Sequence, residues 1–376
     1  MKTQFIFKFS TILMIFILTG FISLTNAIDK EKTFTVSKGD KLEVLLSNGN
    51  IKINTWDKSQ AYIKAYNVDE DDLQQLKIEQ RGNKVLVDFK GGDSEDFYLE
   101  VSIPAQFNIE LATGGGNVDL NGNITGSTKI STGGGNISTL SLNGPTNIST
   151  GGGNIKIVDI GGKLSVSTGG GDVSVGVVNG ETEISTGGGS INIKEVKSKV
   201  EVSTGGGNVT IGNINGMGEV ATAGGNISVG KVSGSVELST AGGNISLNGA
   251  SGKVEVATAG GNISLKNISG SIKANTAGGN IWAELNPDGI SQSELNTAGG
   301  DINLILPSNA KATVIATVHI KKHLSEAETN ELIKSDFVVT TVDLNSRNLT
   351  KRFSINGGGS VIEMNTASGK ITINKK

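Results

Sequence analysis

Five carboxylates recur at a fixed interval in this chain: Glu183, Glu201, Glu219, Glu237 and Glu255. Carboxylate oxygens are what hard divalent cations bind, so a stacked line of them is a candidate Ca²⁺ ladder. If the five stack about 4.8 Å apart, neighbouring charges repel by about 0.9 kcal/mol in a water-like dielectric. A solvated face tolerates that cost, and Lys199 and Lys253 stand close enough in sequence to ease it. The lane therefore reads either as a cation site or as a charged surface.

Other constellations fall short of a chemistry. His319-Ile-Lys-Lys-His323 has i, i+4 spacing, but Ile320 stands where a zinc metalloprotease needs Glu. The flanking Ala-Thr-Val pattern is strand-like, which breaks the helical face such a site requires. Gly-rich phrases can cradle phosphate, yet no Gly-x4-Gly-Lys-Ser/Thr occurs and no helix follows the glycines. Asp is too scarce in those phrases, and their period too long, for a Ca²⁺-binding nonapeptide roll. The acidic runs Asp69-Glu-Asp-Asp72 and Asp93-Ser-Glu-Asp96 read as solvated loops.

What positions the five glutamates is a repeat. The phrase Thr-Gly-Gly-Gly, then a polar residue, then Val or Ile begins at Thr113, Thr132, Thr150, Thr168, Thr186 and Thr204. At Thr222, Thr240, Thr258, Thr276 and Thr297 the first Gly is replaced by Ala. From Thr132 to Thr276 the interval is a constant 18 residues. A fixed short period is the sequence mark of a solenoid. Five residues after each Thr stands Val or Ile, from Val118 to Ile302. The seventh position is mostly apolar (Leu120, Ile157, Val175), as are the tenth (Leu142, Ile160, Val178) and the second before the Thr (Ile130, Ile148, Val166). Residues two apart share one side of a strand. Each coil thus holds two short strands and a corner residue, with aliphatic side chains inward. The predicted fold class is all-β: a single-stranded parallel β-helix of 18-residue coils with irregular β-rich N- and C-terminal caps. The right hand is favoured because parallel crossovers prefer it.

The glycines are the turn. The first accepts Ala, whereas the third is constant at Gly116, Gly135, Gly153, Gly171, Gly189, Gly207, Gly225, Gly243, Gly261, Gly279, Gly300 and Gly369. That constancy predicts a positive φ at the third Gly, where a side chain would clash. The following Asn predicts an inward amide ladder bonding coil to coil. The Thr shares parity with the inward Ile and Val, which places it inside or at the corner and argues against an ice-binding Thr face.

Four zones follow. Residues 1–27 read as a secretory signal peptide: Lys2 and Lys8, an apolar stretch Thr11–Leu24, and small residues at Thr25-Asn26-Ala27. A retained anchor is the other reading; no later stretch is apolar enough to span a bilayer. Residues 28–108 are an N-terminal β-rich segment, 109–305 the array, and 306–376 a C-terminal β-rich cap ending in a degenerate copy, Thr366-Ala-Ser-Gly-Lys-Ile371. The only helix signal is a capping box, Ser325-Glu-Ala-Glu328. The absence of Cys excludes disulfides and thiol metal sites, and the net charge of −3 gives no electrostatic case for nucleic acid. No cofactor is expected beyond the candidate Ca²⁺.

The Thr-Ala-Gly-Gly-Asn-Ile array, the closing Asn365-Thr-Ala-Ser-Gly-Lys-Ile371 and the opening Ser47-Asn-Gly-Asn-Ile-Lys-Ile-Asn-Thr-Trp56-Asp57 resemble the bacterial putative-adhesin domain family. The resemblance spans residues 40–376 and implies an exported β-helical protein with no established catalytic residues to carry over. The expected function is a non-catalytic envelope or surface rod, in the periplasm, on the cell surface or secreted. Its expected partners are a polysaccharide, a surface protein or another copy of itself. A β-helical polysaccharide lyase or hydrolase is the alternative, against which the array offers no Arg and only Trp282 as an aromatic.

Overall fold

A computed structural model describes residues 27–91, 97–320 and 325–376. The predicted signal segment up to Asn26, the acidic run Asp93–Asp96 and His323 lie outside the described residues.

The described chain is all-β apart from two short helical pieces. One coil shows how the sequence makes it. Ile155–Ile160 buries Ile155, Ile157 and Ile160, and Leu164–Thr168 buries Leu164, Val166 and Thr168, while Lys156 and Ser167 face out. Alternation of β-branched and polar residues sets the two strands; Gly161-Gly162-Lys163 links them, and the Gly phrase turns the chain from the second strand of one coil into the first strand of the next. Successive coils pair in parallel, Ile148 beside Val166, and Val166 beside Ile184, 18 residues on each time. Identical positions therefore form lanes. The lane through Ile155, Val173 and Ile191 extends back to Ile51 and forward to Ile371, so the core is one continuous aliphatic column.

Two sheets result. One runs through Ala27–Thr35, Gln60–Asp69, Tyr98–Pro104, Asn50–Trp56 and Val118–Leu120. It then takes the first strand of each coil to Ile302–Leu306, Ile371–Lys375 and Ile333–Ser335. The other begins at Leu76–Arg81, Lys84–Phe89, Lys41–Leu46 and Asn108–Thr113. It takes the second strand of each coil to Gln292–Thr297, then Ser360–Thr366, Ala312–His319, Asn348–Ile355 and Thr341–Leu344.

The two ends are built alike, and their spatial order departs from sequence order. At the start, Lys41–Leu46 is a coil strand sandwiched between Lys84–Phe89 and Asn108–Thr113. The chain leaves the stack, lays antiparallel strands over its end, and returns beneath them. At the far end the degenerate copy does the same in reverse. Ser360–Thr366 slots between Gln292–Thr297 and Ala312–His319, so Ala312–His319, Asn348–Ile355 and Thr341–Leu344 become the outer layer. The copy can do this because its lanes match those of the coil below, Thr366 beside Thr297 and Ile371 beside Ile302. The largest fully buried side chains, Phe89, Phe97, Phe107 and Phe353, all lie in these terminal layers, where the regular lanes stop. The predicted capping box is present: Ser325 Oγ accepts from the Glu328 N–H at the start of Glu326–Leu332. Among the described residues no helix is long and apolar enough to cross a bilayer.

Candidate functional site

The turn was predicted correctly in place but for the wrong reason. Among the described glycines only eight, including Gly49 and Gly126, have positive φ, and none is a third Gly of the array phrase. The constraint there is proximity. A Cβ on Gly153 would overlap the carbonyl of Gly135 in the coil before, and the same holds at Gly171, Gly189 and Gly243 against their predecessors. Glycine is required because successive turns nest backbone on backbone.

The Asn ladder is likewise real and turned outward. Asn136, Asn154, Asn244 and Asn262 are exposed. Asn117 Oδ1 accepts from the Asn136 N–H at 2.8 Å, Asn136 Oδ1 from Asn154 at 2.8 Å, and the series continues through Asp172 to Asp301 and Lys370. The inward role belongs to Thr. Thr150 is buried and its Oγ1 donates to the Gly135 carbonyl (2.9 Å) while accepting from the Gly153 N–H (3.2 Å). A solvated amide keeps its own hydrogen bonds with water, whereas an inward one would be costly, so the alternation of the strand decides.

The glutamates stand in one line as predicted. Glu183, Glu201, Glu219, Glu237 and Glu255 are consecutive cross-strand neighbours on the outer face. Glu201 pairs with Lys199 at 3.8 Å, and Glu255 with Lys253, whose ammonium holds the Glu255 carboxyl below its ordinary range. Among the described residues no three His, Asp or Glu side chains converge as a metal site. The lysines thus act as the counter-charge for two of the five.

A concavity lies elsewhere, along the part of the rod where Ala replaces the first Gly. It is a groove of about 1080 Å³ lined on one side by Ala241, Ala259, Ala277, Ala298 and Ala367. Ser239, Ala257, Asn275, Asn296 and Asn365 also line it, and Thr317, His319 and Asn348 lie at its C-terminal end. The alanines change the turn. In the Gly coils the Gly151 N–H donates to the Thr132 carbonyl (3.1 Å). In the Ala coils the Ala241 and Gly242 N–H groups both donate to the Ala223 carbonyl (3.1 and 3.3 Å). This re-aimed turn accommodates a methyl where a Cβ on Gly151 would meet the Gly133 carbonyl.

The polar side of the groove is a second amide ladder. Asn296 Nδ2 donates to Asn275 Oδ1 (3.0 Å) and Asn365 Nδ2 to Asn296 Oδ1 (2.9 Å). Thr317 and Thr350 share a hydroxyl hydrogen bond (3.2 Å), and His319 Nδ1 lies 3.0 Å from Asn348 Oδ1. Among the described residues no Asp, Glu, Lys or Arg lines the groove. The described lining can therefore offer methyl contacts and amide or hydroxyl hydrogen bonds to a neutral ligand. The sequence signal for it was the Gly-to-Ala switch, together with Ser giving way to Asn just before the Thr.

The profile of toastrack DUF4097 matches residues 162–374, more than half of this chain. The chain belongs to the toastrack DUF4097 family. This agrees with the resemblance carried by the repeat phrase, and the match includes the groove and the C-terminal toastrack coils. No curated protein matches the chain. Among solved structures, a putative adhesin from Parabacteroides distasonis is 14% identical over 65% of this chain and 98% of its own, with a TM-score of 0.32. One from Parabacteroides merdae is 15% identical over 65% and 94%, with a TM-score of 0.33. A protein from Parabacteroides distasonis described as a putative lipid binding protein is 16% identical over 74% and 98%, with a TM-score of 0.26.

Proposed function

We propose that this toastrack protein is a non-catalytic, exported, adhesin-like rod, and that its working surface is the Ala–Asn groove, which holds an extended, uncharged polysaccharide. The rod is a right-handed β-helix of 18-residue coils. Support for the ligand class comes from the lining itself. Sugar rings offer apolar C–H faces and hydroxyl edges, and the groove sets the methyls of Ala259, Ala277 and Ala298 beside the amides of Asn275, Asn296 and Asn365. Both lanes repeat at the strand spacing of about 4.8 Å, so a chain lying along the rod meets the same contacts again and again. A glycoside hydrolase would need two carboxyl groups flanking the bond, and Ala, Ser, Thr, Asn and His319 line the groove instead. Export is supported by the signal-like N-terminus, with Lys2 and Lys8, the apolar stretch to Leu24 and small residues at Thr25-Asn26-Ala27.

A glycan array and whole-cell binding with the full chain test the reading, using Ala298→Lys and Asn296→Leu as variants. The expected result is binding to a neutral glycan that both substitutions abolish while the melting temperature holds. Binding that survives both, or that follows acidic glycans alone, sinks it.

A further inference from the structure

The two outer edges of the second sheet are finished differently. At the N-terminal end the edge strand Leu76–Arg81 is plugged: Lys32 Nζ donates to the Ile78 carbonyl (2.7 Å) and Lys30 Nζ to the Leu76 carbonyl (3.4 Å). Lysines over an edge are a common device against strand addition. At the C-terminal end the edge strand Thr341–Leu344 pairs only with Asn348–Ile355 among the described residues. All four of its residues are exposed, including Val342 at 54% and Leu344 at 42%, with Val338 beside them at 87%.

The backbone of that edge is free as well. The Asn345 N–H donates to the Asn348 carbonyl (3.0 Å) and closes the hairpin. Hydrogen-bonded and non-bonded pairs alternate along an antiparallel ladder. Counting from Asn345–Asn348, Asp343 bonds inward and the N–H and C=O groups of Val342 and Leu344 point away from the sheet, while at the other end the Thr340 N–H turns inward to the Arg352 carbonyl (2.8 Å) and ends the free stretch. Side-chain charge adds a register. Arg352 is the direct cross-strand neighbour of Thr341, and both Arg352 and Asp343 are exposed.

We propose that Thr341–Leu344 is an association edge that pairs antiparallel with the same strand of a second copy, Val342 opposite Val342. This register sets Thr341 opposite the second copy's Asp343, so that Asp343 meets Arg352 across the intervening Thr341. Centring the pair on Asp343 would face two carboxylates at close range, which is unfavourable. Val342 and Leu344 lie on the side of the sheet that carries the buried Leu349, Lys351 and Phe353; Leu344 continues the lane of Leu349, and Val342 stands beside Lys351, whose ammonium is held by Asn330 and the Ile333 carbonyl, so pairing covers further surface on that side. Because the other edge of this sheet is plugged, association closes at two copies and does not run on into a fibre. Asn348, at the end of the groove, is in the strand next to this edge, so the dimer brings the ends of two grooves together. The inference does not depend on what the groove binds.

The chain has no cysteine, which makes a single-Cys test clean. Full-length Val342→Cys and a control, Glu79→Cys on the plugged edge, are treated with a short bis-maleimide. Sedimentation velocity of the unmodified chain runs from low micromolar to several hundred micromolar. Expected are a concentration-dependent monomer–dimer shift, dimer cross-linking at position 342 and none at 79, and loss of the dimer in Val342→Lys with unchanged circular dichroism. A monomer at every concentration, equal cross-linking at both positions, or a dimer that survives Val342→Lys overturns the proposal.

Discussion

The hydroxyl of Thr150 donates to the carbonyl of Gly135 across the joint between two coils, at 2.9 Å. The same hydroxyl accepts from the N–H of Gly153 in its own coil at 3.2 Å, so one buried oxygen serves two coils. The relationship repeats along the rod, as from Thr186 to Gly171 (3.0 Å) and from Thr366 to Gly300 (2.9 Å). Thr150→Val keeps the shape and removes the oxygen. It leaves a buried carbonyl and a buried N–H without partners, which costs about 1–3 kcal/mol. Thr150→Ser retains the hydroxyl and should recover most of the loss. Urea denaturation compares the three, and a Val variant as stable as the parent would show that the bond carries no weight.

Gly153 and Gly152 are neighbours with opposite constraints. A Cβ on Gly153 meets the backbone of Gly135, while one on Gly152 meets nothing within 4 Å. Neither has a positive φ. Gly153→Ala should therefore destabilise by at least about 1–3 kcal/mol through overpacking against backbone that cannot yield. Gly152→Ala should stay within about 0.5 kcal/mol of the parent. Thermal melts of the two variants decide the cause. A proximity constraint separates them, whereas equal effects would mean that the turn responds to chain stiffness alone.

How far the sequence could be read follows from what fixes each feature. The inward lanes were legible because strand parity decides them: Ile155 and Ile157 face the core since they stand two apart among polar neighbours. Asn136 obeys the same parity: adjacent to inward Ile137, it must face out, and parity outweighs the amide-ladder pattern that predicts an inward side chain. The reason for Gly153 was not readable. An invariant glycine can mean positive φ or close approach, and only the distance between coils separates them. The groove was half visible. Its Ala and Asn lanes are in the sequence, but Thr317, His319 and Asn348 reach it only because Ala312–His319 and Asn348–Ile355 lie outside the final coil.

The glutamate lane is itself instructive where it begins. Glu110 occupies the same lane as Glu183, and its neighbours there are Glu43 and Lys129. Lys41 lies 2.6 Å from it and Lys129 2.9 Å, and these hydrogen bonds, that of Lys41 foremost, lower its pKa from 4.5 to about 2. The sign follows from linkage. The folded carboxyl is the stronger acid, so the unfolded chain binds more protons between these two values. The stabilisation is whole above about 4.5 and drains away as the pH falls toward about 2. Glu110→Gln removes the titrating group and should flatten that part of the curve. Thermal melts across the window test it: the parent should lose more stability on acidification than the variant. Parallel curves would mean that the two lysines give Glu110 no advantage in the folded state, and that this lane is solvated along its whole length.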